Sequence, residues 1–78
     1  MNNNAIINST LKDFLEIIDA RAAVNIFVEN KETGAQELIK DARVYEILSD
    51  NDFLNKYKKY DVVGLCCGLI TNILIKEA

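Results

Sequence analysis

Between Asp61 and Lys76 the chain carries no charge: Val62-Val63-Gly64-Leu65-Cys66-Cys67-Gly68-Leu69-Ile70-Thr71-Asn72-Ile73-Leu74-Ile75. The run is too short to cross a bilayer as a helix, which takes about 20 apolar residues. It is also far longer than the usual strand of about five or six residues. Its β-branched residues and the central Gly68 read as two buried strands, Val62 to Cys67 and Asn72 to Lys76, joined as a terminal hairpin. The loop Gly68-Leu69-Ile70-Thr71 is unusually apolar for that job. The rest of the chain must then supply strands to pair with this hairpin and helices to cover it.

The preceding segments fit that demand. Ser9 or Thr10 can cap a helix, with Asp13 favourable in its first turn. Leu11, Phe14, Leu15, Ile17 and Ile18 follow as an apolar stripe, and the helix is expected to stop near Ala20. Ala23 to Glu29 alternates as a strand, Val24, Ile26 and Val28 to one face and Asn25, Phe27 and Glu29 to the other. Asn30-Lys31-Glu32-Thr33-Gly34 is a turn, and Ala35 to Lys40 returns as a second strand. Asp41 is placed to cap a helix bearing Val44, Ile47 and Leu48. Ser49-Asp50-Asn51-Asp52 offers a new cap for a second helical segment, Asp52 to Lys58, with Phe53, Leu54 and Tyr57.

The predicted fold is α+β: a small antiparallel sheet of three or four strands with helices on one face, in the order α-β-β-α-α-β-β. Residues 9–78 form one domain and residues 1–8, polar at the start, are expected to be loosely ordered. The predicted core joins the helical stripe to Val24, Ile26, Val28, Val63, Leu65, Ile73 and Ile75.

The chemistry available is narrow. The chain has no histidine, which removes the commonest general base and metal ligand. Its glycines are isolated and form no phosphate loop. Asp50-Asn51-Asp52 resembles the opening of a calcium loop but lacks the Gly and the closing Glu at their required positions, so helix capping is the plainer role. Tyr45, Tyr57 and Tyr60 suit packing at helix edges better than ligand stacking. Neighbours Cys66 and Cys67 could be a redox pair. Adjacent strand residues point to opposite faces, however, and two small apolar residues in a reducing compartment is the simpler account. No catalytic, cofactor or metal site is therefore expected, and no small-molecule substrate.

Charge also limits the partners. Nine Lys and Arg against twelve Asp and Glu give a net charge of −3, with no basic face for nucleic acid. The cluster Lys56, Lys58 and Lys59 is flanked by Asp50, Asp52 and Asp61. Met1-Asn2-Asn3-Asn4 has no basic leader region and Ile6-Ile7 is too short for a signal core, so a cytoplasmic location away from membranes is expected.

The remaining anomaly is the second face of the sheet. If helices cover one face, the other presents Phe27, Val62, Cys66 and Leu74, with Leu38 or Ile39 added from the second strand. Gly64 in the same row would let another surface approach, and Asn25, Glu29, Asn72 and Lys76 would rim the patch. Either one helix crosses over to cover it, or it is a contact surface. At 78 residues the chain buries only about 60–65% of its unfolded surface, and domains this small commonly gain stability from a partner subunit.

The pattern also resembles small uncharacterised proteins of Gram-positive gut bacteria and their prophages. The likeness runs from Thr10 through Asp19, the strand Val24 to Val28, a tyrosine-rich helix end, Asp61-Val62-Val63-Gly64-Leu65 and a short apolar C-terminal strand. It rests on a helix cap and alternating apolar residues. It implies no activity and transfers no site residue. The functional expectation is a non-enzymatic protein–protein interaction or self-assembly module, a homodimer through Phe27, Val62, Gly64, Cys66 and Leu74. The alternative is an accessory or regulatory protein of a mobile element that binds a host protein.

Overall fold

A computed structural model describes residues 9–77; the expectation for residues 1–8 lies outside the described residues. Seven elements follow in the order α1 (Leu11–Ile17), β1 (Ala23–Glu29), β2 (Gln36–Arg43), α2 (Val44–Leu48), α3 (Asn51–Tyr57), β3 (Asp61–Cys66) and β4 (Thr71–Lys76). The fold is α+β and the element order is α-β-β-α-α-β-β. The four strands form one sheet in the order β2-β1-β4-β3. Both hairpins, β1–β2 and β3–β4, are antiparallel. They meet through their inner strands, β1 and β4, which run parallel, so the sheet is mixed.

Local chemistry sets most of the boundaries. The Thr10 side chain accepts from the Asp13 N–H and starts α1. The helix stops three residues before Ala20. Ile18 is already extended, and the Asp19 carboxylate accepts from the Arg21 N–H in a tight turn. Leu11, Phe14 and Leu15 are buried and Ile18 packs beside them, whereas Ile17 is 76% exposed. The inward face follows the i, i+3, i+4, i+7 spacing, and Ile17 falls off it.

The β1–β2 turn is built by Asn30, whose side chain accepts from the Glu32 and Thr33 N–H groups, and by Gly34 at φ +74°. β2 runs past Lys40 to Arg43. Asp41 is therefore a strand residue opposite Asn25 and caps nothing. The start of α2 is satisfied from elsewhere: the Val44 and Tyr45 N–H groups donate to the carbonyls of Ala22 and Ala20, while Glu46 accepts from the Arg43 N–H. The hydrogen-bonding needs of the chain entering β1 and of α2 are thus met by each other.

Asp50 caps α3 by accepting from the Phe53 N–H, and its other oxygen takes Lys40 Nζ at 2.7 Å. Lys40 also lies 5.4 Å from the Phe53 ring centre, and Phe53, Tyr57 and Tyr60 stack in a chain with successive centres 5.0 Å apart. The three aromatics rest against the core.

All three helices turn their apolar side chains toward one face of the sheet. Leu11, Phe14, Leu15, Val44 and Ile47 join Val24, Ile26, Ile73, Ile75 and Val62 in a single cluster, and Leu54 is buried beside it. The sheet members share a face by register: Ile26 lies opposite Ile73, Val28 opposite Ile75, and Ile75 opposite Val62.

Val62 corrects an expectation. Unbroken alternation would set it on the outer face with Gly64 and Cys66. The register shifts between Val62 and Gly64, so Val63 is an extra residue in a bulge. The bulge reverses the parity before it. Val62 is 1% exposed and Val63, expected in the core, is 48% exposed. Leu65 lies opposite Ile73 but remains exposed on its edge strand.

Two measurements check this description. Val62→Ala should destabilise by about 1–3 kcal/mol in urea unfolding while Val63→Ala stays within about 0.5 kcal/mol; equal effects would remove the bulge. The hydrogen bonds from Lys40 and from the Phe53 N–H hold the Asp50 carboxyl below the ordinary carboxylate range. Its stabilising contribution is therefore full above the unfolded-state value and is lost as pH falls through the lower folded value. Asp50→Asn should lower Tm at pH 7, and the gap should close at acidic pH below the folded value; a pH-independent gap would show that the carboxylate charge plays no part.

Candidate functional site

On the outer face of the sheet three rows of side chains run across all four strands, with Arg43–Ala23 beyond them on β2 and β1. Pairing in register gives the central row Leu38–Phe27–Leu74–Gly64, from β2 through β1 and β4 to β3. On one side lies Asp41–Asn25–Asn72–Cys66 and on the other Gln36–Glu29–Lys76–Asp61. Apolar side chains thus form a band with amides and charges along both borders.

A second bulge creates this arrangement. The β1–β2 register shifts between Ile26 and Phe27, leaving Ile39 as the extra residue. Ile39 packs toward the core, while Leu38 stands on the outer face and is 48% exposed. Of the two residues considered for this place from the sequence, Leu38 takes it. Phe27, Gly64, Cys66 and Leu74 are all on this face, as expected, and Val62 is not.

The band is not level. A Cβ on Gly64 would lie 3.2 Å from Leu74 Cβ, closer than ordinary van der Waals contact, so the glycine accommodates the side chain opposite it. At one end the band carries the exposed Leu38 side chain and at the other, at Gly64, it carries none. A shallow trough of about 230 Å³ runs from Gln36 past Phe27 and Leu74 to Gly64 and Cys66. Its borders are polar and mutually bonded: Asn25 Nδ2 donates to Asn72 Oδ1 at 3.2 Å, and Lys76 Nζ lies 3.6 Å from Glu29. The remaining Asn25 oxygen is shielded from solvent without a hydrogen-bond partner.

The other features hold no comparable site. A larger depression of about 480 Å³ at the turn end of β1 and β2 is lined by Glu29, Glu32, Glu37 and Glu77 with Lys31 and Tyr60. Among the described residues no group of three or more His, Cys, Asp or Glu side chains converges as a metal site would. No helix of the described residues is long and apolar enough to cross a membrane. Cys66 and Cys67 are both free thiols and both exposed, Cys66 on the outer face at the end of β3 and Cys67 in the following loop. Leu69, at the tip of that loop, is fully exposed.

The chain matches no protein-family model, no curated protein and no solved structure. The surface itself therefore carries the functional argument.

The exposure of the cysteine pair has a direct check. Both thiols should react with a chromogenic disulfide reagent in the dilute native protein at the same stoichiometry as in denaturant. A thiol that reacts only after unfolding would place that cysteine inside the core.

Proposed function

We propose that this chain is a non-enzymatic self-association module whose contact surface is the helix-free face of its sheet. The observation that carries the reading is the apolar band Leu38–Phe27–Leu74, in which Leu38 is exposed and Phe27 and Leu74 are half-buried, on a face that no helix of the described residues covers and whose borders are largely polar. Scattered exposed apolar residues are ordinary on any protein, whereas an aligned band with a polar rim has the composition of an interface core. Composition supports the reading further, because a chain without histidine offers the common routes of acid–base catalysis few groups.

Geometry sets the strength of such a contact. Four strands about 4.8 Å apart and six residues of about 3.3 Å each give a footprint of roughly 400 Å² per copy. A standard stable interface buries about 800 Å² per partner. Association through this face alone therefore belongs to the weak, concentration-dependent class, with a Kd on the order of 10–100 µM.

Sedimentation equilibrium tests this. Mass should rise with concentration across the micromolar range, and Phe27→Asp should hold the chain monomeric with its helix content unchanged. Association that survives Phe27→Asp would place the contact elsewhere.

A further inference from the structure

We infer that the occupant of the open face is a second copy of this chain, packed about a two-fold axis that runs parallel to the strands between β1 and β4. The inference rests on the self-association reading above and specifies its geometry. Two arrangements of like sheets face to face keep their strands aligned, and the three rows distinguish them.

With the axis parallel to the strands, each row folds back on itself in reverse. β2 of one copy lies over β3 of the other, and β1 over β4. Leu38, the exposed end of the band, then sits over Gly64 of the second copy, the end without a side chain. Phe27 sits over Leu74. The end that carries a side chain meets the end that carries none, which suits the even separation of about 10 Å in face-to-face packing. The rim is also matched. Glu29 lies over Lys76 of the second copy and Lys76 over its Glu29, while Asn25 lies over Asn72. Opposite charges and paired amides therefore occur twice each, as an isologous contact demands.

With the axis perpendicular to the strands, each row keeps its direction. Leu38 would meet Leu38 and Gly64 would meet Gly64, stacking bulk on bulk and gap on gap. Glu29 would then face Asn25 and Lys76 would face Asn72. That arrangement loses both the packing match and the charge match, and the first is favoured on both counts.

The Glu29–Lys76 pair is also close within one chain, at 3.6 Å. The test separates the two roles by mixing variants. Glu29→Lys and Lys76→Glu each set like charges together within the chain and, in a dimer of one variant, across the contact. Each alone should weaken association by about tenfold at low salt. An equimolar mixture of the two keeps the like charges within each chain but restores opposite charges across the contact. Sedimentation of the mixture should therefore return to within about threefold of the unsubstituted protein. A mixture no tighter than either variant alone overturns the proposed axis.

Leu38→Ser, at an exposed position, should abolish most association without loss of helix content; unchanged association also overturns the arrangement. If Phe27→Asp dissociates the protein but the mixture fails to recover, the open face remains the contact surface and only the axis is wrong. A protein that stays monomeric to about 1 mM overturns both the axis and self-association through this face.

Discussion

The parallel pairing of β1 with β4 is the contact on which the rest of the molecule depends. Each hairpin is local and forms its own ladder, and a two-stranded hairpin alone is marginal in water. Joining them through β1 and β4 makes a four-stranded sheet and aligns Val24, Ile26, Ile73, Ile75 and Val62 on one side. Only that combined face is wide enough to receive the buried sides of α1, α2 and α3. None of the three helices exceeds seven residues, which is too short to persist without tertiary packing. The helices are held by the sheet as much as they cover it. The pairing spans most of the chain, so its closure is the slow, non-local step that local propensity cannot supply.

The same pairing creates the open face. Once helices gather on one side, the alternation that turns Ile26 and Ile73 inward must turn Phe27 and Leu74 outward. Two bulges then adjust what is shown. At Ile39 the extra residue lets β2 bring Leu38 out while Ile39 and Lys40 serve the helix side. At Val63 it lets β3 bury Val62 while Gly64 and Cys66 stay on the outer face. Without the bulge at Val63, continued pairing from Val62 would set Val63 opposite Leu74 in the place that Gly64 leaves empty. The bulges therefore do more than terminate regular pairing: they set the relief of the exposed band.

Much of this was legible in the residues. The periodicity of Ala23–Glu29 and the uncharged C-terminal run located three of the four strands, and Thr10 and Asp50 marked two helix starts through their capping chemistry. Asp41 misled because an aspartate before an apolar helix has the same local appearance whether it caps or extends a strand. What decided was the long-range option of pairing with Asn25, which no local pattern contains. Val62 misled for a related reason. A bulge costs little in a strand whose neighbouring residues are all apolar, so alternation among Val62, Val63 and Leu65 cannot locate the extra residue. The parallel union of the hairpins was equally hidden, since it links segments whose separation in sequence is bridged by both α2 and α3. Phe27 and Leu74 were legible because each alternates with buried neighbours on its own strand, and Gly64 and Cys66 because they alternate with Leu65, which lies opposite Ile73 beyond the bulge.

The open band is best understood as a consequence of size. Among the described residues, the three short helices shield one side of a four-stranded sheet and leave the other without helical cover. Evolution has two ways to treat the remaining side: make it polar, or leave it apolar and cover it from outside. The borders Asn25–Asn72 and Glu29–Lys76 show that polar pairing across β1 and β4 is accessible on this face. Between those borders, at the position where a third such pair would fall, stand Phe27 and Leu74. Apart from the Cys66 thiol, the borders are polar, and the large apolar side chains stand along the middle row. That segregation is what the proposed self-association would require, a dry centre bounded by groups that keep separated copies in solution.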